Sequence, residues 1–349
     1  MSVNARVTKC RVHDLVRELA IEKAKEQNFI GTNIADPPPS STSSSLFSSK
    51  SRRIYSDFER ASQLDFIVKC FKVLRVLDLE GLEIECIPSM IGELIHLRYL
   101  GLRHTGLKML PPSIGNLRSL QTLEINNLRQ VPNVIWKIKN MRYLYMERQE
   151  GDVPLQIDTL QNLQILSGIT FNQWIKNDSS NLTCLEKLKL EGRCEVEGAM
   201  FSNSIAKLPS LKSLYLKASD DSSIPPFAIN YCLHLSKLNH DPMVVLEKLP
   251  KLLTLRLRAK SYLEKEMHVS ANGFPQLKVL QLFGLRELNK LNIEKGTMPW
   301  LMQLQFYSKT KFSGLDELLN LVEVKIRLPR FQLLLMFRRS RIPLWDYTW

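Results

Sequence analysis

Arginine, lysine and tyrosine recur in this chain at repeating spacings. Arg98, Tyr99 and Arg103 stand together, then Arg142, Tyr143 and Tyr145, then Lys187 and Lys189. Lys212 with Tyr215 and Arg256 with Arg258 follow. Tyrosine and arginine anchor interfaces well, because a ring or a planar guanidinium offers much contact for little lost rotamer freedom. The chemistry on offer is therefore non-covalent: docking of an acidic protein surface. Cations interleaved with tyrosine also suit nucleic acid. No recognition helix or RNA-binding motif accompanies them, so nucleic acid ranks below protein. Taken singly, each residue reads as a solvated side chain; taken together they read as a face.

Catalysis has no comparable pattern. The histidines (His13, His96, His104, His234, His240 and His268) fall in separate segments, and no nucleophile, base and orienter can be grouped from them. The six cysteines include no CxxC pair and have no histidine cluster beside them, so zinc is not expected. Their scatter reads as reduced thiols, several of them in the core. No G-x-x-x-x-G-K-[ST] phosphate loop occurs, so the chain is expected to hold no nucleotide by itself.

The charge balance is 48 basic against 35 acidic residues, net +13. That excess favours an acidic protein face, nucleic acid or an anionic membrane. The start, MSVNARVTKCRVHD, lacks a signal peptide's apolar core, and the late apolar run Leu333 to Phe337 is too short to span a bilayer. The expected location is the cytoplasm, with the nucleus or the periphery of the plasma membrane as further possibilities. The sequons at Asn177 and Asn181 are then coincidental.

The elements that must position these side chains come from a repeat, L-x-x-L-x-L. It runs through Leu74-Leu77-Leu79, Leu97-Leu100-Leu102, Leu120-Leu123-Ile125, Met141-Leu144-Met146 and Leu185-Leu188-Leu190. Further copies are Leu211-Leu214-Leu216, Leu252-Leu255-Leu257, Leu277-Leu280-Leu282, Leu301-Leu304-Phe306 and Leu321-Val324-Ile326, with weaker ones at Leu163 and Leu235. The mean spacing is about 22 residues, inside the window for leucine-rich repeats. The last two apolar positions obey a strand's period of two, and the first turns inward at the strand start. A second triplet precedes many strands at i, i+3, i+6, such as Ile91-Leu94-Leu97, Ile114-Leu117-Leu120, Ile135-Ile138-Met141, Ile205-Leu208-Leu211 and Leu246-Leu249-Leu252. That spacing suits a short 3₁₀ or helical turn on the convex side. No repeat closes a core alone; stacking does. The fold class is α/β: a leucine-rich-repeat horseshoe of 11–12 irregular repeats. Its strands line a concave face into which the x positions point. The asparagine expected after each strand is mostly replaced, as by Leu82, Thr105 and Leu128.

The organisation follows. Residues 1–30 combine a short strand with an amphipathic helix from His13. Residues 31–50, rich in proline and serine, read as a linker. Residues 51–328 form the repeat domain, whose first repeat is expected to be poorly capped. The tail, 329–349, departs from the repeat and reads as an unstructured end.

The run CRVHDLVRELAIEKAKEQNFIG, Cys10 to Gly31, resembles the end of the nucleotide-binding domain in plant intracellular nucleotide-binding leucine-rich-repeat disease-resistance proteins of the coiled-coil class. That family carries a Met-His-Asp tripeptide on a winged-helix subdomain; here it is Val12-His13-Asp14. The segments FKVLRVLDLEG, LPPSIGNLRSLQTL and GFPQLKVLQL are similar to its repeats.

The resemblance implies that residues 1–30 are a winged-helix remnant. His13 would approach the β-phosphate of ADP and Asp14 would fix the helix start. In the full-length family ADP or ATP occupies the switch domain, most of which is absent here. It implies two kinds of partner for the repeats. One is a pathogen effector or guarded host protein, and the other is the nucleotide-binding domain of a full-length receptor, which the repeats restrain. The alternatives are a generic cytosolic scaffold and a basic solenoid associated with nucleic acid.

Overall fold

In a computed structural model of the chain the described residues are 30–31, 53–55, 62–126, 128, 131–147, 155–192, 198–218, 242–259, 261–262, 264–307, 310–327 and 332–336. The His13-Asp14 motif and nearly all of the proposed linker lie outside them. The chain divides into two compact units, Met1–Ile125 and Asn126–Trp349.

In the first unit the strands are β1 (Ile30–Gly31), β2 (Arg53–Tyr55), β3 (Val76–Asp78), β4 (Tyr99–Leu102) and all but the last residue of β5 (Thr122–Asn126). Each pairs in parallel with the next, in the registers Arg53↔Val76, Val76↔Tyr99 and Tyr99↔Thr122. The sheet therefore begins before the first leucine copy at Leu74. Instead of a poorly capped start, β2 and the helix Ser62–Cys70 precede that copy. Leu64, Ile67 and Val68 of this helix are buried.

The second unit holds β6 (Tyr143–Glu147), β7 (Ile165–Ile169), β8 (Lys187–Gly192), β9 (Ser213–Ala218) and β10 (Thr254–Ala259). After these come β11 (Glu266–Val269), β12 (Val279–Phe283), β13 (Lys290–Ile293), β14 (Gln303–Tyr307), β15 (Lys311–Ser313), β16 (Glu323–Arg327) and β17 (Gln332–Met336). Strands β6 to β10, then β12, β14 and β16, form one parallel run. Strand β9 pairs directly with β10, and the weak copy at Leu235 lies outside the described residues.

Every described leucine of the repeat is inside. Leu74, Leu77, Leu97, Leu100, Leu185 and Leu188 are at most 1% exposed, so the alternation expected of the strands is realised. Each such side chain contributes about 1.5–3 kcal/mol on leaving water. The preceding triplets form i→i+3 hydrogen bonds: Leu94 N–H donates to Ile91 O at 3.1 Å and Leu97 N–H to Leu94 O at 2.8 Å. Pro88, Pro111 and Pro132 stand just before the 3₁₀ turns Ser89–Glu93, Pro112–Asn116 and Asn133–Lys137. Their fixed φ sets the turn while surrendering no needed donor.

Three features differ from expectation. Late in the second unit the side opposite the main sheet is not helical: β11, β13 and β15 form a second parallel sheet. Met267 and Val269, and Leu291 and Ile293, alternate with polar neighbours, and period two selects strand. The tail is not wholly unstructured, since β17 runs antiparallel to β16 with Ile326↔Leu333 in register. The cysteines Cys70, Cys86 and Cys184 are exposed rather than in the core, because they fall between inward positions. Where asparagine is replaced, Thr105 is buried and its hydroxyl donates to Leu102 O at 3.0 Å, satisfying the turn.

Candidate protein interface

In the first unit the register aligns two rows on the open side of the sheet. Val76, Tyr99 and Thr122 form one; Asp78, Gly101 and Glu124 form the next. Gly101 has no side chain for a steric reason. A Cβ there would strike Asp78 Oδ1 and come within 2.9 Å of the Tyr99 hydroxyl. Tyr99 donates a hydrogen bond to Glu124. Arg103 places Nε 2.7 Å from Glu124 Oε2 and a terminal nitrogen 3.4 Å from Glu80 Oε2. Asp78 accepts from the Glu80 N–H at 3.2 Å.

Burial pushes the carboxyls of Asp78 and Glu124 above their usual range. It also pushes the Tyr99 phenol well up, with the charges of Glu124 and Asp78 adding to it. Three carboxylates thus surround one guanidinium. The sequence marks this stretch as basic through Arg98 and Arg103; the open side is in fact acidic, and Arg103 is neutralised from within. The signal for the acids was available, since Asp78 and Glu124 occupy x positions of the repeat.

In the second unit the rows are Lys187, Ser213, Thr254, Val279; Lys189, Tyr215, Arg256, Gln281; and Glu191, Lys217, Arg258, Phe283. Glu191 sits 3.0 Å from Lys189 and 3.9 Å from Lys217. Tyr215 donates to Glu191 and accepts from Arg258. Burial raises its phenol, and Arg258 partly offsets that. Lys189 Nζ stands 5.4 Å from the centre of the Tyr215 ring, and the Arg258 guanidinium 5.5 Å from the same ring. Arg258 also lies 5.1 Å from the Phe283 ring. Cation–π contacts of this kind contribute about 0.5–2 kcal/mol each, most when partly dry. Gln281, Gln303 and Gln305 continue the open side and are buried; Lys325 and Glu323 pair at 2.8 Å.

The candidate residues divide by position. Tyr99, Tyr143, Tyr145, Lys187, Lys189, Tyr215, Arg256 and Arg258 lie on strands with the parity of the open side. Arg98, Arg142 and Lys212 each stand one residue before a strand and share the parity of the inward leucines. They line the strand-start edge instead, where Lys212 pairs with Glu186 at 2.7 Å. Asn177 of the first sequon is engaged internally: it accepts from Ile157 N–H at 2.8 Å and donates to Gln173 O at 2.7 Å. Phe283 was missed, since the sequence candidates were limited to cations and tyrosines. Among the described residues no group of three His, Cys, Asp or Glu side chains gathers to hold a metal, and no helix is long and apolar enough to cross a membrane.

Leucines inside, polar and aromatic side chains on an open parallel sheet and turns on the far side define a repeat scaffold. Residues 53–238 match the family model described as leucine-rich repeat region, and the chain belongs to that family. It is similar to the probable disease resistance RPP8-like protein 2 of Arabidopsis thaliana, 30% identical over an alignment of 383 positions that covers 92% of this chain and 42% of that protein. The disease resistance protein RPP8 of the same plant is 30% identical, over 91% of this chain and 42% of its own length. The chain thus spans under half the length of these curated relatives. Among solved structures, a leucine-rich-repeat protein of Leptospira interrogans is similar at 20% identity and a TM-score of 0.45, over 75% of this chain and 62% of that one.

Proposed function

We propose that this chain is the repeat part of a plant defence receptor and that it acts by binding proteins rather than by catalysis. The observation that carries this is the similarity to disease-resistance proteins along nine-tenths of the chain. In this reading the open side of the second unit receives a pathogen effector or a guarded host protein. The repeats also contact a nucleotide-binding switch domain and restrain it until the target displaces that contact. A ligand that binds only one of two states shifts the balance between them, and no other device is needed.

ADP or ATP belongs to the switch domain, and the chain holds neither by itself. Val12-His13-Asp14 marks where switch and repeats adjoin. The cytoplasm is the site of action.

The test is co-expression of residues 1–349 with a separately encoded nucleotide-binding domain from a matching receptor, followed by pull-down. Capture of that domain, lost on addition of a cognate effector, is the expected result. A folded chain that never captures it would overturn the restraint.

A further inference from the structure

We infer that the open side of β9, β10 and β12 takes an acidic, extended segment of a protein partner, with Arg258 as the anchoring residue. This rests on the reading of the repeats as a protein-binding face and names the chemistry of what that face receives.

Three observations combine. First, Arg258 is held in place before any partner arrives. Its guanidinium lies between the rings of Tyr215 and Phe283, at 5.5 and 5.1 Å, and donates to the Tyr215 hydroxyl. A long side chain already fixed by its neighbours loses little rotamer entropy on binding, and its planar fork suits a carboxylate.

Second, several cations elsewhere on the open sides are matched to carboxylates of this chain. Arg103 has Glu80 and Glu124, Lys189 has Glu191 and Lys325 has Glu323. The open-side positions of β9, β10, β12 and β14 carry no aspartate or glutamate, and they do carry Lys217, Arg256 and Arg258, of which Lys217 comes only to 3.9 Å of Glu191 on β8. Charge complementarity there asks for an incoming anion.

Third, the same face shows how it holds a carboxylate. Glu191 rests against Lys189, Lys217 and the Tyr215 hydroxyl. A partner's carboxylate shifted one strand along would meet Lys217 and Arg258 in the same manner. Strands spaced about 4.8 Å apart offer such positions in series, which suits acidic residues on an extended segment.

The probe is fluorescein-labelled poly-glutamate, titrated with the full chain by anisotropy at low and at physiological salt. Oligothymidylate serves as the competing polyanion. Poly-glutamate is expected to bind, and Arg258→Gln to weaken it about tenfold. Lys207→Gln, which removes one charge at a distant turn, is expected to leave it unchanged. If Arg258→Gln melts early by circular dichroism, Phe283→Leu replaces it, and an approximately threefold loss is expected. Equal loss for Arg258→Gln and Lys207→Gln would reduce the effect to net charge and overturn the proposal. Tighter binding of oligothymidylate than of poly-glutamate would do so too. Either result leaves the capture of a switch domain untouched, so the two readings fail separately.

Discussion

Arg103 reaches across from the end of β4 to Glu124 on β5, with Nε 2.7 Å from Oε2, and the glutamate is only 13% exposed. The guanidinium is the counter-ion for a carboxylate that burial would otherwise drive toward its neutral form. Removing it leaves Glu124, Glu80 and Asp78 facing one another. Arg103→Gln is expected to lower stability by about 1–2 kcal/mol at neutral pH, an amount moderated by the solvent exposure of the arginine. Arg103→Gln with Glu124→Gln should recover most of that loss. Urea denaturation of the two variants checks both, and additive losses would contradict the coupling.

The same cluster sets a pH dependence. The Tyr99 phenol is raised in the folded chain, so above about pH 10 the unfolded chain ionises first. The unfolded state then binds fewer protons than the folded one, and stability falls as pH rises. Asp78 and Glu124 are raised too, so their contribution is largest at acid pH and is lost as pH climbs through the carboxylate range. Tyr99→Phe should flatten the alkaline limb of stability against pH, followed by denaturant titration at several pH values. An unchanged limb would mean that the phenol titrates as freely in the fold as in solution.

Two glycines with left-handed backbone should respond differently to a methyl group. Gly81, at φ +84°, has open space where a Cβ would project, whereas at Gly314, at φ +78°, a Cβ would collide with the backbone carbonyl of Ile293. Gly81→Ala is expected to cost about 1 kcal/mol, the conformational penalty alone. Gly314→Ala should cost about 3 kcal/mol or more, since the opposing atom is backbone and cannot swing away. Thermal melts of the pair decide it, and equal shifts would contradict the close approach.

Asp178 caps the turn Ser179–Asn181. It accepts from the Ser180 N–H at 3.1 Å and the Ser180 hydroxyl at 2.8 Å, with Lys207 Nζ at 3.1 Å. Those bonds hold its carboxyl at about 2. Its stabilising effect is therefore full at neutral pH and lost as pH falls through that value. Carboxyl NMR titration should find this low midpoint. Lys207→Gln should raise it only partway toward the ordinary value, because the Ser180 bonds act more strongly. A midpoint already ordinary in the unaltered chain would show that the cap does not form in solution.

The path from residues to fold was short where one periodicity governed. Leucines two apart on a strand and apolar residues three apart on a turn bury themselves whatever lies far along the chain. Leu97, Leu100 and Leu102 accordingly stand where their spacing put them. The turns after Pro88, Pro111 and Pro132 were legible for the same local reason. At Met267 and Val269 the alternation with polar neighbours gave period two, and the segment is a strand.

The open side was only half legible. Parity alone separates Tyr99 from Arg98, yet composition had grouped them. Nothing local says that Arg103 meets Glu124, 21 residues later, while Arg258 meets two rings; register between repeats makes those pairs. Periodic burial of leucine is enforced within each repeat, so the bare chain already specified a leucine-rich scaffold. The sign and availability of charge depend on which side chains parallel pairing brings within a few ångströms. Only the assembled sheet made one open side acidic and self-satisfied, and left the other with an arginine poised between rings.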